Sequence, residues 1–198
     1  KYSDKMPTAG EQVWVDVDAT DEGVTDLGAD NTLGYEITMS GITASASYAR
    51  TGLGTDNSIV LIANDLVDGA SFGIGSGTNT ISATSEDDMM TVWATYTTGP
   101  ITMGAQFSEI DKTAANSDVD REHVAISFAV NENLSVSYGI SNVAYEATTK
   151  TDEESSGFSA SYTMGSMTLG AVANKTDSLL GTAGTDRTFT EVSLAFAF

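Results

Sequence analysis

The sequence contains no cysteine, which removes disulfides, thiolate zinc sites and thiol nucleophiles from consideration. Its one histidine, His123, leaves no multi-histidine metal site. Basic residues are scarce, with 8 Lys and Arg against 28 Asp and Glu and a formal net charge of −20. A phosphate backbone needs a basic patch to neutralise it, so this balance argues against a nucleic-acid partner. Proline occurs only 2 times, and no apolar run approaches the ~18 residues of a membrane helix. The first ten residues lack the apolar stretch of a signal peptide. A helical membrane protein is excluded; a membrane barrel is not.

What the 198 residues do have is alternation. Val192, Leu194, Phe196 and Phe198 alternate with small or polar residues, the period of two that marks a strand between unlike environments. Phe158, Ala160, Tyr162 and Met164 repeat the pattern, as do Met167, Leu169, Ala171 and Ala173, with Val172 out of phase. Further rows are Val124 to Val130, Leu134 to Ile140, Met90 to Tyr96, Ile101 to Phe107, Leu33 to Met39 and Ile42 to Tyr48. Ile59 to Ile62 is continuously apolar, so its facing is ambiguous. No window has a helical period. The chain is all-β, with about eleven strands near the ~10-residue length of a tilted membrane strand.

The connections alternate in kind. Gly41, Asp68-Gly69, Gly99-Pro100, Asn131 to Asn133 and Gly165-Ser166 are short, whereas 51–57, 83–88, 111–122, 148–156 and 176–187 are longer and polar. Short turns at one end and long loops at the other are the plan of an antiparallel up-and-down transmembrane barrel. The second face of the strands is Ser, Thr, Gly and Ala with few charges. A soluble sandwich would carry Lys and Glu there for solubility and edge protection. Small neutral polar groups suit a water-filled lumen, with the apolar row toward lipid.

Bacterial single-chain barrels have an even strand count. Eleven strands ending on the short-turn side place residues 1–30 at the outer side or folded inward from it, ahead of barrel strands in 31–198. The expectation is therefore that these are eleven strands of about 16.

The terminal residues 191–198 with their C-terminal aromatic, the hairpin over 164–171, and Ala29-Asp30-Asn31 leading toward Gly41 resemble the C-terminal portion of a general bacterial outer-membrane porin, similar to those of purple and related alphaproteobacteria. The likeness covers residues from about 29 to 198, and its motifs are short. It implies a 16-stranded barrel, assembly as a homotrimer, and a third outer loop folded inside to narrow the pore. By that analogy residues 1–30 are the tail of the constriction loop.

Asp16, Asp18, Asp21 and Glu22 crowd into seven residues. Carboxylates lining a narrow aqueous passage favour cations over anions, more strongly beside a low-dielectric wall. The alternatives are a solvated acidic loop, or a calcium site using Asp16, Asp18 and Asp21, although the spacing is not an EF-hand loop. His123 has Ser127 four residues on, but that spacing on a strand is ~13 Å, too far for a nucleophile and its base. No catalytic residue is assigned. Tyr96, Phe196 and Phe198 are expected at one membrane margin and Phe158 at the other. Arg50, Arg121 and Arg187 could form a basic stripe in the lumen opposing the acidic loop, but their place at strand ends favours rim salt bridges or lipopolysaccharide contacts; Gly73, Gly75 and Gly77 read as a bend or a close backbone approach.

The function these features imply is a passive channel for small hydrophilic solutes and ions, with a cation bias, in the bacterial outer membrane. It would need no cofactor, with calcium as an option, and its surroundings would be lipid and lipopolysaccharide. A structural or adhesive barrel whose acidic loops bind partners or divalent cations is the alternative.

Overall fold

A computed structural model describes residues 5–9, 32–50 and 52–197 of the chain. Among the described residues, eleven antiparallel strands form one sheet in which each strand pairs with its neighbours in sequence. They are β1 (Thr32–Met39), β2 (Ile42–Arg50), β3 (Thr55–Val67), β4 (Ala70–Ser82), β5 (Ser85–Thr98) and β6 (Ile101–Lys112). Then follow β7 (Val119–Ala129), β8 (Leu134–Tyr145), β9 (Glu153–Met164), β10 (Met167–Asp177) and β11 (Arg187–Phe196). One short 3-10 turn, Leu179–Gly181, lies between β10 and β11.

The short turns follow from local chemistry. Met39 pairs with Ile42, so Ser40 and Gly41 make a two-residue turn, with φ of 51° and 81°. Positive φ at both central residues gives the turn whose twist matches the strands it joins. A Cβ on Gly41 would stand 2.7 Å from the Asn64 carbonyl, so no other residue fits there. At 131–133 the Asn131 side chain accepts hydrogen bonds from the backbone N–H of Asn133 (2.9 Å) and Leu134 (3.0 Å), reversing the chain without glycine.

The long connections are shorter than their polarity suggests. Residues 83–88 are not a loop: Ser82 pairs with Ser85, and Glu86, Asp87 and Asp88 pair with Thr80, Asn79 and Thr78. Backbone pairing depends on the main chain, so it continues past the point where side chains turn from apolar to acidic. The other four polar segments shrink likewise, with β3 beginning at Thr55 and the later three reduced to 113–118, 146–152 and 178–186.

Two faces result. Residues 5–9 lie against one, here called inner, and the rows of alternating apolar residues lie on the other. The ambiguous run divides cleanly: Ile59 and Leu61 face outward, Val60 and Ile62 inward. Val172, the out-of-phase residue, is buried on the inner face. Outward, Leu33 is 75% exposed and Val192 70%, and every outward row carries large apolar side chains open to the surroundings. A soluble monomer does not expose a continuous apolar surface of this extent.

The belt slopes across the register. Traced through the strand pairs, its upper edge runs from Leu33 on β1 to Val192 on β11, dropping about one residue per strand. With a rise of ~3.3 Å per residue and a strand spacing of ~4.8 Å, a level belt requires strands tilted ~35° from its normal. That is the tilt of a transmembrane barrel. Because Ile126 stands inside the belt and Ser127 faces inward, Ile126→Arg is expected to destabilise the protein folded in lipid vesicles by about 2–4 kcal/mol in urea titration, and Ser127→Arg by well under half of that.

Candidate functional site: the inner wall

Hydroxyl groups dominate the inner wall and bond sideways to one another. Ser47 and Ser58 are 2.7 Å apart, Thr91 and Ser108 3.0 Å, Ser137 and Ser159 2.6 Å, and Ser155 meets Thr176. Cross-strand hydroxyl pairs of this kind stabilise a sheet modestly and are themselves polar but uncharged.

One register row is nearly bare. Gly104, Ala125, Gly139 and Gly157 are successive partners across β6 to β9. Residues 5–9 lie over this trough. Lys5 N–H donates to Gln106 Oε1 (3.0 Å), the Thr8 hydroxyl meets Ser159 Oγ (3.3 Å), and Ala9 N–H donates to Ser137 Oγ (3.1 Å). Met6 is buried against Ala125 and Phe189. A Cβ on Gly104 would stand 2.7 Å from Pro7 Cδ and 3.3 Å from Met6 Cε, so the absent side chain is what admits the segment.

Beside the trough lies an apolar patch that alternation alone does not reveal. Met89, Trp93 and Ile110 are buried together on the inner face, with Val60 and Ile62 packed against them. Gly73, Gly75 and Gly77 of β4 intervene in register between these two groups, and their missing side chains let the groups meet across the strand. The glycine row is a close approach between side chains of its neighbours. The signal in the sequence was a pair of in-phase and out-of-phase apolar residues, Met89-Met90 and Val92-Trp93, facing a Gly-X-Gly-X-Gly strand.

Arg121, the third residue of β7, turns inward and not to the rim. It is 3% exposed on the inner face, between Ser108 and Val143 in register, because β6, β7 and β8 all extend past it. His123 lies in the next row between Gln106 and Ser141, and Glu153 is buried beside Val143. Arg187 also faces inward, opposite Thr176, whereas Arg50 faces outward. Ser127 shares the inward face with His123, as its spacing implies.

On the outward face, above the belt, Glu109 and Asp120 are register partners with Asp111 and Asp118 close by. Loss of surrounding water, then the neighbouring carboxylates, raises both groups above their usual range. Tyr96, Phe158 and Phe196 stand on the outward face toward the belt margins, Tyr96 and Phe196 near short turns and Phe158 as the last apolar residue below Ser156 and Glu154. Asp16, Asp18, Asp21, Glu22 and Phe198 lie outside the described residues. Among the described residues no three His, Asp or Glu side chains gather as metal ligands.

No protein-family model and no curated protein sequence matches this chain. Solved structures do. The anion-selective porin from Comamonas acidovorans superposes with a TM-score of 0.72 at 14% identity, over 86% of this chain and 60% of that one. A loop L8 deletion mutant of OmpT, an outer membrane protein of Vibrio cholerae, gives 0.61 at 16%, over 84% and 62%. The NanC porin gives 0.53 at 13%, over 84% and 92%. The chain therefore has the fold of outer-membrane porin barrels, and spans about three fifths of the length of the first two.

Two outcomes follow. A Gly104→Val side chain occupies the place of Pro7 and Met6, so a hydrophilic maleimide is expected to label Thr8→Cys roughly tenfold faster in that background, the factor that ~1.4 kcal/mol of lost seating gives. A carboxylate whose pKa is raised by folding takes up a proton as the chain folds, so it costs stability as pH rises through that window. Asp120→Asn is therefore expected to raise the melting temperature at pH 7, and the gain to disappear below the ordinary Asp value of 3.8.

Proposed function

We propose that this chain forms part of the wall of a water-filled diffusion channel in the bacterial outer membrane, passing small hydrophilic solutes and ions down their gradients. The observation that carries this reading is the division of the sheet into an outward apolar belt and an inner wall of paired hydroxyls and glycines. In hydrocarbon every backbone N–H and C=O must be satisfied by the protein, and an antiparallel wall does so while leaving its far side wet. Surrounding groups are then membrane lipid and lipopolysaccharide, and the working assembly a homotrimer.

Residues 5–9 on the inner wall favour an inward course for residues 1–30, which would narrow the passage. Asp16, Asp18, Asp21 and Glu22 then lie in or beside that passage and lower the energy of cations there. The Comamonas porin is named for anion selectivity, but shared backbone carries no sign of charge: selectivity resides in side chains, and those differ at 14% identity. Calcium at Asp16, Asp18 and Asp21 is a subordinate reading. The reading is of a non-enzymatic channel, in which His123 and its register partner Ser141 are residues of the wall.

Single-channel recording in a planar bilayer under a salt gradient tests this. Stepwise conductance in threes is expected, with a reversal potential of the sign given by cation preference. Neutralising the four acidic residues together is expected to move that potential toward zero. Silent insertion of folded protein would mean a filled lumen and favour an adhesive or structural barrel.

A further inference from the structure

Residues 178–186 join β10 to β11 and bond first to themselves. Leu179 N–H donates to the Thr185 carbonyl (2.8 Å), Thr185 N–H to Thr182 (3.1 Å), and Thr182 N–H to Leu179 (3.2 Å). Ser178 N–H donates to Asp186 Oδ1 (3.3 Å), closing the base of the loop. These bonds hold the segment together as one unit between its two strand ends.

A second set of contacts ties that body to the 146–152 connection and to the wall residues Tyr145 and Glu153 that flank it. Leu180 N–H donates to the Glu153 carboxylate, and the Leu180 carbonyl accepts from the Lys150 ammonium. Thr151 N–H donates to the Gly181 carbonyl at 3.1 Å. Gly181 sits so close to the wall that a Cβ would stand 2.8 Å from the Tyr145 ring and 2.7 Å from Lys150 Cδ. The Lys150 ammonium is itself 5.2 Å from the Tyr145 ring centroid, within cation–π range.

The direction of these contacts matters. Glu153 pairs with Val143, and Tyr145 with Val119, all on the inner face. The loop therefore bends over the inner wall at its outer end instead of standing away from it. Leu180 adopts a φ of 55°, a left-handed conformation that crowds a Cβ and is rare for leucine. Ser178 (φ 55°) and Gly181 (φ 69°) share that conformation. A residue in this conformation persists only where its surroundings over-determine it, and here opposite charges grip its N–H and its C=O.

We infer that residues 178–186 are a lid over the outer mouth, latched through the backbone of Leu180 by Glu153 at the start of β9 and by Lys150 of the adjoining 146–152 connection. With the latch made, the lid roofs the inner wall over β8 to β10. With it broken, the lid swings as a body and widens the mouth. The consequence for solute passage rests on the channel reading above; the latch itself does not.

The absence of cysteine makes the test direct, since a single engineered thiol can carry a spin label. Ala183→Cys places the label on the lid, and Ala115→Cys places a control on the connection between β6 and β7. In folded protein in vesicles the Ala183 label is expected to be immobilised. Glu153→Ala, and separately Lys150→Ala, should shorten its correlation time several-fold while the Ala115 label is unchanged. Glu153→Gln keeps an acceptor oxygen and should retain most of the order. An Ala183 label already mobile in the parent, or equally immobile in folded Glu153→Ala, overturns the latch. Mobilisation at both sites in both variants would assign the two side chains to general stability and overturn it as well. In bilayers the released lid should add open-state current fluctuation. A silent protein whose label still responds would leave the latch standing and sink the channel reading.

Discussion

Each strand of this protein takes its hydrogen-bond partners from its immediate neighbours in sequence, and most of the structure follows from that pairing. A wall facing hydrocarbon has no water to satisfy stray N–H and C=O groups, each of which costs several kcal/mol when left unpaired. Sequential antiparallel pairing removes the problem with the shortest connections, hence the two-residue turns at Ser40-Gly41 and Gly99-Pro100. Once the register is set, period two fixes the facing of every side chain, because a slip of one residue would turn a whole apolar row to the wrong side. The slope of the apolar belt across the register is the same constraint seen from outside. A tilted strand must begin and end its apolar row one residue later than its neighbour for the belt to lie level.

The inner face answers a different demand. Its residues must be polar enough for water yet small enough to leave space, and the glycines do more than leave space. Gly104, Gly139 and Gly157 open a trough in which other backbone can lie, while Gly73, Gly75 and Gly77 let Met89 and Trp93 reach Val60 and Ile62 across β4. Missing side chains thus position both a polar contact and an apolar one. Neither arrangement involves tight packing in the sense of a globular core, and the buried set is correspondingly rich in Ser, Thr and Gly.

Alternation made the fold legible because it reports a local property, the facing of consecutive side chains. The strand count, the short turns and the facing of Val172 could all be read that way. The strand ends were less legible, since Glu86, Asp87 and Asp88 look like loop residues and yet pair in full. Polarity marks where lipid stops, and pairing stops farther out. Arg121 sits near the start of β7, where position along the strand suggests a rim, yet its facing puts it on the inner wall. The trough and the lid were not legible at all. Each depends on residues far apart in the chain, Gly104 with Pro7 and Glu153 with Leu180, and no spacing rule connects such pairs.

The sign of any ion preference is a question about few side chains. On the described inner wall, Glu36, Asp56, Asp87, Glu153 and Glu191 face Lys112, Arg121 and Arg187. Two of those carboxylates are already occupied by backbone amides: Asp56 accepts from Thr80 N–H at 2.8 Å, and Glu153 from Leu180. A carboxylate satisfied by wall amides offers less of its charge to a passing ion. The wall is thus close to balanced, although the chain as a whole carries −20. Much of the surplus stands above the belt on the outward face, as at Glu109, Asp111 and Asp120, where salt screens it from the lumen. A strong cation preference would therefore need charge beyond what this wall supplies. The dense run from Asp16 to Glu22 is where the sequence holds it, so net charge alone predicts less about permeation than the course of those seven residues.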